Sequence, residues 1–341
     1  MQKIVVSANE AGQRMDKLLA KYLSAAPKSF LYKMLRKKNI TLNGKKAQGN
    51  EMLSVGDEIS MFLADETIEK FAGNTKQTEN EMKRVAKKST AAISVLYEDE
   101  HVLLLDKPSG VLSQKARPDD ISINEQMIAY LMDNGTLKPE ELRSFKPAIC
   151  NRLDRNTSGI VAAGKTLAGL QQLSELFRDR TMNKFYLTIV NGVVNKDEYI
   201  KGFLKKDERT NKVTISSKKV DDDYQEIETA YHPLATNGEI TLLEVHLITG
   251  RTHQIRAHMA SKGHPILGDY KYGNASKNAY FKKKYQLDSQ ILHSYRMEFS
   301  ENMDGALTKL SGKKIIAPIP KKMKSIMKGE HLKWEHGTPE A

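Results

Sequence analysis

The chain has 341 residues, of which 39% are hydrophobic and 28% are charged, a composition typical of a protein that folds around apolar cores. These values exclude a mini-protein and a wholly disordered chain, and the length is sufficient for two domains. Lys and Arg outnumber Asp and Glu by 54 to 42, and the resulting net charge of +12 favours a polyanionic partner such as nucleic acid.

The expected compartment follows from cysteine content and hydropathy. The single cysteine, Cys150, excludes an internal disulfide and a Cys-rich zinc cluster. No apolar run reaches the roughly 18 to 20 residues that span a bilayer, and the N-terminal residues do not resemble a secretory signal. We therefore expect a cytoplasmic protein that has no membrane partner.

Residues 1–65 predict a small unit of two helices and a short sheet. Apolar residues recur at helical spacing in 15–23 and again in 30–35, and Pro27 separates the two segments. A short strand then enters an Asn43-Gly44 turn. The segment 28–46 is basic and contains no acidic residue, which predicts either RNA contact or a solvated helix face. The candidate RNA contacts are Lys33, Arg36, Lys37 and Lys38.

The rest of the chain predicts three further parts. The polar segment 66–91 has no helical or strand periodicity and predicts a flexible linker. Residues 92–325 have more hairpin signals than βαβ repeats, which predicts an α+β domain. Residues 326–341 form a basic tail, to which we assign no role.

One carboxylate, Asp154, lies between Arg152 and Arg155 in a segment that leads into an apolar strand. A carboxylate at its ordinary pKa of about 3.9 is ionised at neutral pH and can attack without a separate base. Asp154 is therefore a candidate nucleophile. The alternative is a turn-capping aspartate that pairs with a neighbouring arginine at the surface.

A second polar cluster, in 249–259, marks the start of a short helix. Ile255 and Met259 can face the core, whereas Arg251, His253, Arg256 and His258 place donors at the first turn or on the other faces. Zinc binding is disfavoured, because the neighbours are basic and no matching carboxylate or cysteine set is present. Structural hydrogen bonds are the preferred interpretation of these histidines.

Two shorter segments are less specific. In 183–187, strand alternation places Lys184 and Tyr186 on one face, although a tyrosine in a strand usually belongs to the core. In 105–110, an apolar strand ends in a Pro/Gly turn, which carries Lys107 at its start.

Four motifs, taken in chain order, resemble those of the RluA, RluC and RluD group of pseudouridine synthases. They are LDKPSG at 105–110, RLDRNTSG at 152–159, KFY at 184–186 and GRTHQIRAH at 250–258. The similarity covers about residues 92–320, and residues 1–65 resemble the alpha-L RNA-binding motif of ribosomal protein S-four type. One position departs from the family pattern, because Asn151 stands where His is more usual.

The resemblance implies a mainly antiparallel catalytic sheet and an isomerase that converts uridine in structured RNA to pseudouridine. It implies that Asp154 is the nucleophile, that Tyr186 stacks on the target base and assists proton transfer, and that Arg256 orients Asp154, with Arg251 as second choice. Arg152 would fill the space left by the extruded uridine. Arg251, His253 and Lys107 are the other expected RNA contacts in this domain. No cofactor and no metal are expected.

Several alternatives remain at this stage. Large-subunit ribosomal RNA is the expected substrate and transfer RNA the alternative, and we expect a monomer. Attack on the ribose, attack on the uracil ring, and elimination to a glycal all fit the motifs. The competing functions are a catalytically silent RNA-binding or ribosome-assembly protein and an unrelated hydrolase with an aspartyl nucleophile.

Overall fold

The computed structural model describes residues 1–71, 80, 82, 84–85 and 93–334. Two β-sheets organise this part of the chain, one of four strands and one of eleven. Helices pack around both sheets, and the large sheet is mixed and mainly antiparallel. The predicted α+β class is therefore confirmed.

The N-terminal sheet has the strand order β1-β4-β2-β3 and is covered by helices. Its elements are β1 (Gln2–Val5), α1 (Met15–Tyr22), α2 (Lys28–Arg36), β2 (Ile40–Leu42), β3 (Lys45–Lys46), β4 (Glu58–Met61) and α3 (Asp65–Phe71). Leu18, Leu35 and Ile59 lie in a core that these elements share. The two predicted helices and the turn at Asn43-Gly44 are confirmed, and both turn residues have positive φ.

The predicted linker is wrong at its start. Residues 66–71 belong to α3, whose Ile68 is buried in the N-terminal core. Met82 and Val85 are buried against the core of the large sheet. The prediction failed because the segment is polar overall, and its few apolar residues, which the structure buries, show no periodicity. The remainder of the predicted linker, 72–79, 81, 83 and 86–91, lies outside the described residues.

The large sheet runs in the order β11-β10-β12-β13-β9-β14-β8-β6-β5, with β15 paired to β14 and β7 paired to β8. Its strands are β5 (Ser94–Glu98), β6 (Val102–Lys107), β7 (Ala148–Ile149), β8 (Ser158–Gly164), β9 (Asn183–Asn191), β10 (Glu198–Asp207), β11 (Lys212–Ser216), β12 (Gln225–Thr236), β13 (Ile240–Leu247), β14 (Leu292–Glu298) and β15 (Lys314–Ile316). The helices around it are α4 (Ile123–Asp133), α5 (Leu167–Asp179), α6 (Gln254–Ser261), α7 (Ala275–Tyr285) and α8 (Lys321–Gly329).

The predicted boundary between domain and tail, at residue 325, is also wrong. Helix α8 buries Met323, Ile326 and Met327 in the main core, and Leu332 is buried beyond the helix. The Trp334 ring lies edge-on to Tyr295, with the ring centroids 6.1 Å apart. In this segment lysines alternate in sequence with apolar residues, and the apolar residues share one face of the helix. The basic composition alone therefore did not indicate a packed helix. Residues 335–341 lie outside the described part.

A close approach of two strands explains Gly159, the last residue of the second motif, which lies near the start of β8. Strands β8 and β14 run parallel, with Gly159 opposite Ser294. A Cβ atom at Gly159 would stand 2.1 Å from the Ser294 carbonyl oxygen, and the residue has a φ of +105°. Only glycine fits there, and it lets the chain enter β8 directly after the Asp154 loop.

Within the described ranges 1–71 and 93–334, no helix is both long and apolar enough to cross a membrane.

Candidate active site

The loop that carries Asp154 connects β7 to β8 and is held by hydrogen bonds on both sides. The Ser113 hydroxyl donates to the Leu153 carbonyl at 2.8 Å and accepts from the Leu153 amide at 2.9 Å. The Thr157 amide donates to the Asp154 carbonyl at 3.0 Å. The Asp154 side chain is 27% exposed, so it is presented to solvent on a loop with a fixed backbone.

The sequence predicts that Lys107 contacts RNA, but the structure buries it fully under the Asp154 loop. Its Nζ donates to the carbonyls of Pro108 (3.0 Å), Val111 (2.7 Å) and Arg155 (3.0 Å). Burial lowers the pKa of Lys107 to about 7. The prediction failed because a lysine at the end of a strand is usually exposed, whereas here the following turn folds over it. Lys107 ties the turn at 108–111 to the residue after Asp154.

Arg256 binds the Asp154 carboxylate, as the sequence predicts. Its Nη1 lies 2.9 Å from Oδ2 of Asp154, while Nε and Nη2 donate to the two carboxylate oxygens of Asp269 at 2.7 and 3.0 Å. Asp269 also accepts from the backbone amides of Lys271 (2.9 Å) and Tyr272 (3.1 Å). Asp269 thus fixes the plane of the guanidinium that holds Asp154.

The Arg256 and Asp269 pair is well removed from water. The Arg256 side chain is 9% exposed and that of Asp269 is 1% exposed. Burial by itself raises the pKa of the Asp269 carboxyl, but its hydrogen bonds with Arg256 and the backbone amides lower that pKa more. Both groups are therefore charged at neutral pH, which makes the pair a rigid, ionised support for the site.

Tyr186 belongs to the central strand β9, and its side chain lies beside Asp154. Tyr186 and Lys184 both line the cleft, whereas the Phe185 ring stacks on His246 on the other face of the sheet. The predicted strand alternation is confirmed. Burial raises the pKa of the Tyr186 phenol to about 12, so this group is protonated at neutral pH.

His253 also lies next to Asp154 and lines the smaller recess, and its role as an RNA contact stays a prediction. Its side chain is 8% exposed, and its Nε2 is 3.7 Å from Oδ2 of Asp154. The residue has a φ of +54°, which is uncommon for a non-glycine residue, and it immediately precedes α6. Burial lowers the pKa of the imidazole.

A cleft of about 740 Å³ opens next to this cluster. Asp154 and Tyr186 line it, together with the cationic residues Lys115, Arg152, Arg178, Arg180, Lys184 and Arg251. A smaller adjoining recess is lined by the apolar Leu247, Ile255 and Leu292 and also by Asp154, Tyr186 and Arg256. The cleft therefore combines a cationic wall, suited to phosphates, with a recess lined by both apolar and polar side chains, suited to a flat ring with polar edges.

Arg152 and Arg251 are exposed and line the cleft. Arg251 was the alternative partner for Asp154, but the ion pair seen in the described part of the chain is with Arg256. On the N-terminal unit, Lys33, Arg36, Lys37 and Lys38 are all exposed, as an RNA contact requires. Their proposed role as contacts stays a prediction.

Asn151 has a structural role that the sequence did not indicate. Its side-chain nitrogen donates to the Ile160 carbonyl at 3.2 Å, and its oxygen accepts from the Ala162 amide at 2.8 Å. The side chain therefore extends the pairing of the loop with β8. We infer that it helps to fix the loop carrying Asp154.

The histidines considered for zinc bind different partners. His258 Nδ1 lies 2.8 Å from the Thr229 hydroxyl, and His264 Nδ1 lies 3.1 Å from the Asn191 carbonyl. Burial lowers the pKa of His258 to about 4. In the residues for which coordinates are described, no group of three or more His, Cys, Asp or Glu side chains is arranged to hold a metal ion.

Sequence reasoning missed the roles of Asp269 and Tyr272, which contact Arg256 and His253. A usable signal existed for Asp269. Arg256 needed a second carboxylate if it was to be buried and charged, and Asp269 follows α6 after a short Gly-containing turn. No comparable signal distinguished Tyr272 from Tyr270.

Comparisons with known proteins show which proteins this chain is similar to. A family model described as RNA pseudouridylate synthase matches residues 101–261. The chain is 29% identical over 337 residues to ribosomal large subunit pseudouridine synthase C of Vibrio parahaemolyticus, covering 96% of each protein. It is 30% identical over 301 residues to the protein of the same name from Vibrio vulnificus, covering 88% of this chain and 89% of the relative.

A solved structure has a similar fold. The human RNA pseudouridylate synthase domain containing 4 superposes with a TM-score of 0.57 at 20% identity, covering 77% of this chain and 100% of that chain.

Proposed function

The chain belongs to the RluA-type family of RNA pseudouridine synthases, and we propose that Asp154 is the nucleophile with which it isomerises uridine. One observation carries this assignment: Arg256 holds the Asp154 carboxylate at 2.9 Å at the edge of a recess that Tyr186 and several leucine and isoleucine side chains also line. A binding protein without catalysis has no use for a carboxylate in a cationic cleft, where it weakens the attraction for phosphates.

The isomerisation breaks the bond between ribose C1′ and uracil N1 and forms a bond between C1′ and C5. The C5 proton is lost and N1 gains a proton, so the atoms balance without a cofactor. During the exchange the detached base must rotate without escaping. We propose that the recess next to Asp154 retains it, since Leu247, Ile255 and Leu292 can pack on the faces of the ring and the polar lining residues can bind its edge.

Tyr186 and Arg152 have distinct proposed tasks. Because its pKa is about 12, the Tyr186 phenol keeps its proton at neutral pH and can donate a hydrogen bond to the uracil while its ring stacks on the base. The exposed Arg152 would occupy the space that the uridine leaves in the RNA, since extrusion costs a few kcal/mol of stacking and pairing.

We propose large-subunit ribosomal RNA as the substrate. The support is the name shared by the Vibrio relatives, which match over most of their length. We also propose a monomer, because one chain supplies Asp154, Tyr186 and Arg256 to the recess. A cytoplasmic location is proposed because the proposed substrate is ribosomal RNA.

Purified full-length protein should form pseudouridine in large-subunit ribosomal RNA transcripts and leave small-subunit ribosomal RNA and transfer RNA unmodified. The measurement is pseudouridine mapping by carbodiimide labelling and primer extension after incubation with each RNA. Modification of transfer RNA alone would overturn the proposed substrate and leave the enzyme assignment intact. If none of the RNAs gains pseudouridine, the proposed activity with Asp154 as nucleophile is contradicted.

The basic surface of the N-terminal unit provides another prediction. A variant with Lys33, Arg36, Lys37 and Lys38 all changed to Gln should bind RNA more weakly, because up to four phosphate contacts are lost. The slope of log K against log salt should decrease by up to about 3, while kcat at saturating RNA stays near that of the wild type. Filter binding over a salt series measures the slope.

The matched control removes four exposed lysines elsewhere, at Lys282, Lys283, Lys324 and Lys328. Both variants lower the net charge equally, so a general charge effect would change both slopes. Equal slopes in the two variants would remove the proposed role of the N-terminal surface.

A further inference from the structure

Two hydrogen bonds and one longer polar contact lead from strand β11 to the candidate nucleophile. The Val213 amide donates to the Tyr272 hydroxyl at 2.9 Å. That hydroxyl is 3.0 Å from Nδ1 of His253, whose Nε2 faces Oδ2 of Asp154 at 3.7 Å. Tyr272 therefore contacts the nitrogen of His253 that points away from the nucleophile.

The Tyr272 end of these contacts favours one tautomer of His253. The Tyr272 oxygen already accepts from Val213, and its single proton can be donated to Nδ1. Donation requires a lone pair at Nδ1, so the ring proton must be on Nε2. The opposite tautomer would place two N–H donors on one phenol oxygen and leave the phenol proton to find another acceptor.

The Asp154 end favours the same tautomer independently. A proton on Nε2 points a positive dipole at the carboxylate, whereas a bare nitrogen would point a lone pair at Oδ2. The alternative of a charged ring is disfavoured by burial, which lowers the pKa of His253. The charged groups that act on the ring are balanced in sign, with Asp154 and Asp269 opposed by Arg256 and Lys271.

Local structure restricts movement of both rings. His253 holds a positive φ at the start of α6, and the two rings meet edge to face with centroids 5.7 Å apart. The Arg256 guanidinium lies 5.3 Å from the centre of the Tyr272 ring. Tyr272 therefore packs against both groups that contact Asp154.

We propose that Tyr272 is a positioning residue that holds His253 as the Nε2–H tautomer, with this proton directed at Oδ2 of Asp154. Arg256 and His253 then both engage Oδ2, so Oδ1 is the oxygen presented for attack. The catalytic significance of this arrangement rests on the proposed function, whereas the tautomer itself is a property of the free protein.

The direct test is nuclear magnetic resonance of the full-length protein labelled with ¹⁵N-histidine, without RNA and near neutral pH. Long-range ¹H–¹⁵N correlations identify which ring nitrogen carries the proton. The His253→Gln variant assigns the resonances among the nine histidines. We expect a neutral His253 protonated at Nε2. A ring protonated at Nδ1, or a charged ring, would overturn the proposal whatever the enzyme does to RNA.

The variant Tyr272→Phe removes only the hydroxyl. We expect the Nδ1–H form of His253 to appear in its spectrum, and kcat to fall about 10-fold with KM within about 2-fold of the wild type, since one hydrogen bond next to a charged group is lost. The matched control is Tyr270→Phe, because Tyr270 is exposed and its hydroxyl contacts the Leu287 carbonyl. The control should keep the wild-type spectrum and kcat.

The two readouts separate the possible failures. An unchanged tautomer and an unchanged kcat in Tyr272→Phe would refute the positioning role. An inactive wild-type protein that still has His253 protonated at Nε2 would instead refute the proposed function. Should Tyr272→Phe not fold, the wild-type spectrum alone still decides the tautomer.

Discussion

The variant Asp154→Asn is expected to lose pseudouridine formation by at least about 10⁴-fold, the scale typical for loss of a nucleophile. The amide cannot attack as a carboxylate does, yet it has nearly the same size and can accept from Arg256 through its oxygen. RNA affinity should change less than about 3-fold, because the cationic cleft residues are untouched. Release of tritium from uridine labelled at C5 measures the reaction, and filter binding measures the affinity.

The control for this variant is Asp133→Asn, which makes the same chemical change at an exposed position at the end of α4. It should retain wild-type rates. Equal loss of activity in both variants would indicate damage that is not specific to Asp154, and full activity in Asp154→Asn would refute the nucleophile assignment.

The variant Asp269→Asn is expected to lower the free energy of unfolding by about 3 to 5 kcal/mol, the cost of leaving a buried charge without its partner. Arg256 would keep its positive charge in a site where its side chain is 9% exposed. Activity should fall as well, since the guanidinium that orients Asp154 loses its support. Urea denaturation at neutral pH measures the change, and Asp288→Asn, at an exposed position, is the control.

The pH dependence of stability gives this prediction a definite sign. Burial raises the pKa of Asp269, but the hydrogen bonds and the charge of Arg256 lower that pKa by more. The pKa of Asp269 therefore lies below the ordinary value of 3.8. A carboxylate with a depressed pKa stabilises the fold above that ordinary value, and this stabilisation is lost as the pH falls through the folded-state pKa. The stability difference between wild type and Asp269→Asn should therefore shrink in acid.

A second variant distinguishes an unpaired charge from simple loss of packing. Asp269→Asn combined with Arg256→Gln should be more stable than Asp269→Asn alone, because no uncompensated charge remains buried. A double variant that is less stable than the single variant would show that the guanidinium does not need its partner for charge balance.

Local patterns were sufficient for the residues whose placement depends on one element. Strand alternation placed Lys184 and Tyr186 together on the cleft face of β9. The order of four motifs brought Asp154 and Arg256 into one site, and their contact at 2.9 Å agrees with that expectation. These residues lie on or next to regular elements, so short-range periodicity or family order located them.

The errors concern burial, which local sequence does not report. Lys107 looked like an exposed lysine on a turn, but three backbone carbonyls surround its ammonium group. His253 stays a predicted RNA contact, but the sequence did not indicate that the chain after α6 brings Tyr272 across its ring. Asp269 was missed although a buried, charged Arg256 needs a second carboxylate, and the fold pairs the two side chains. In each case at least one partner lies on another segment of the chain, whose position depends on the tertiary fold.

The most direct test of Asp154 as nucleophile is pseudouridine mapping of large-subunit ribosomal RNA in cells that lack this gene. The cells are complemented either with the wild-type gene or with Asp154→Asn at matched protein levels. We predict that the wild-type gene restores at least one pseudouridine that the mutant cells lack and that Asp154→Asn restores none. Restoration of the same pseudouridine by Asp154→Asn would contradict the account.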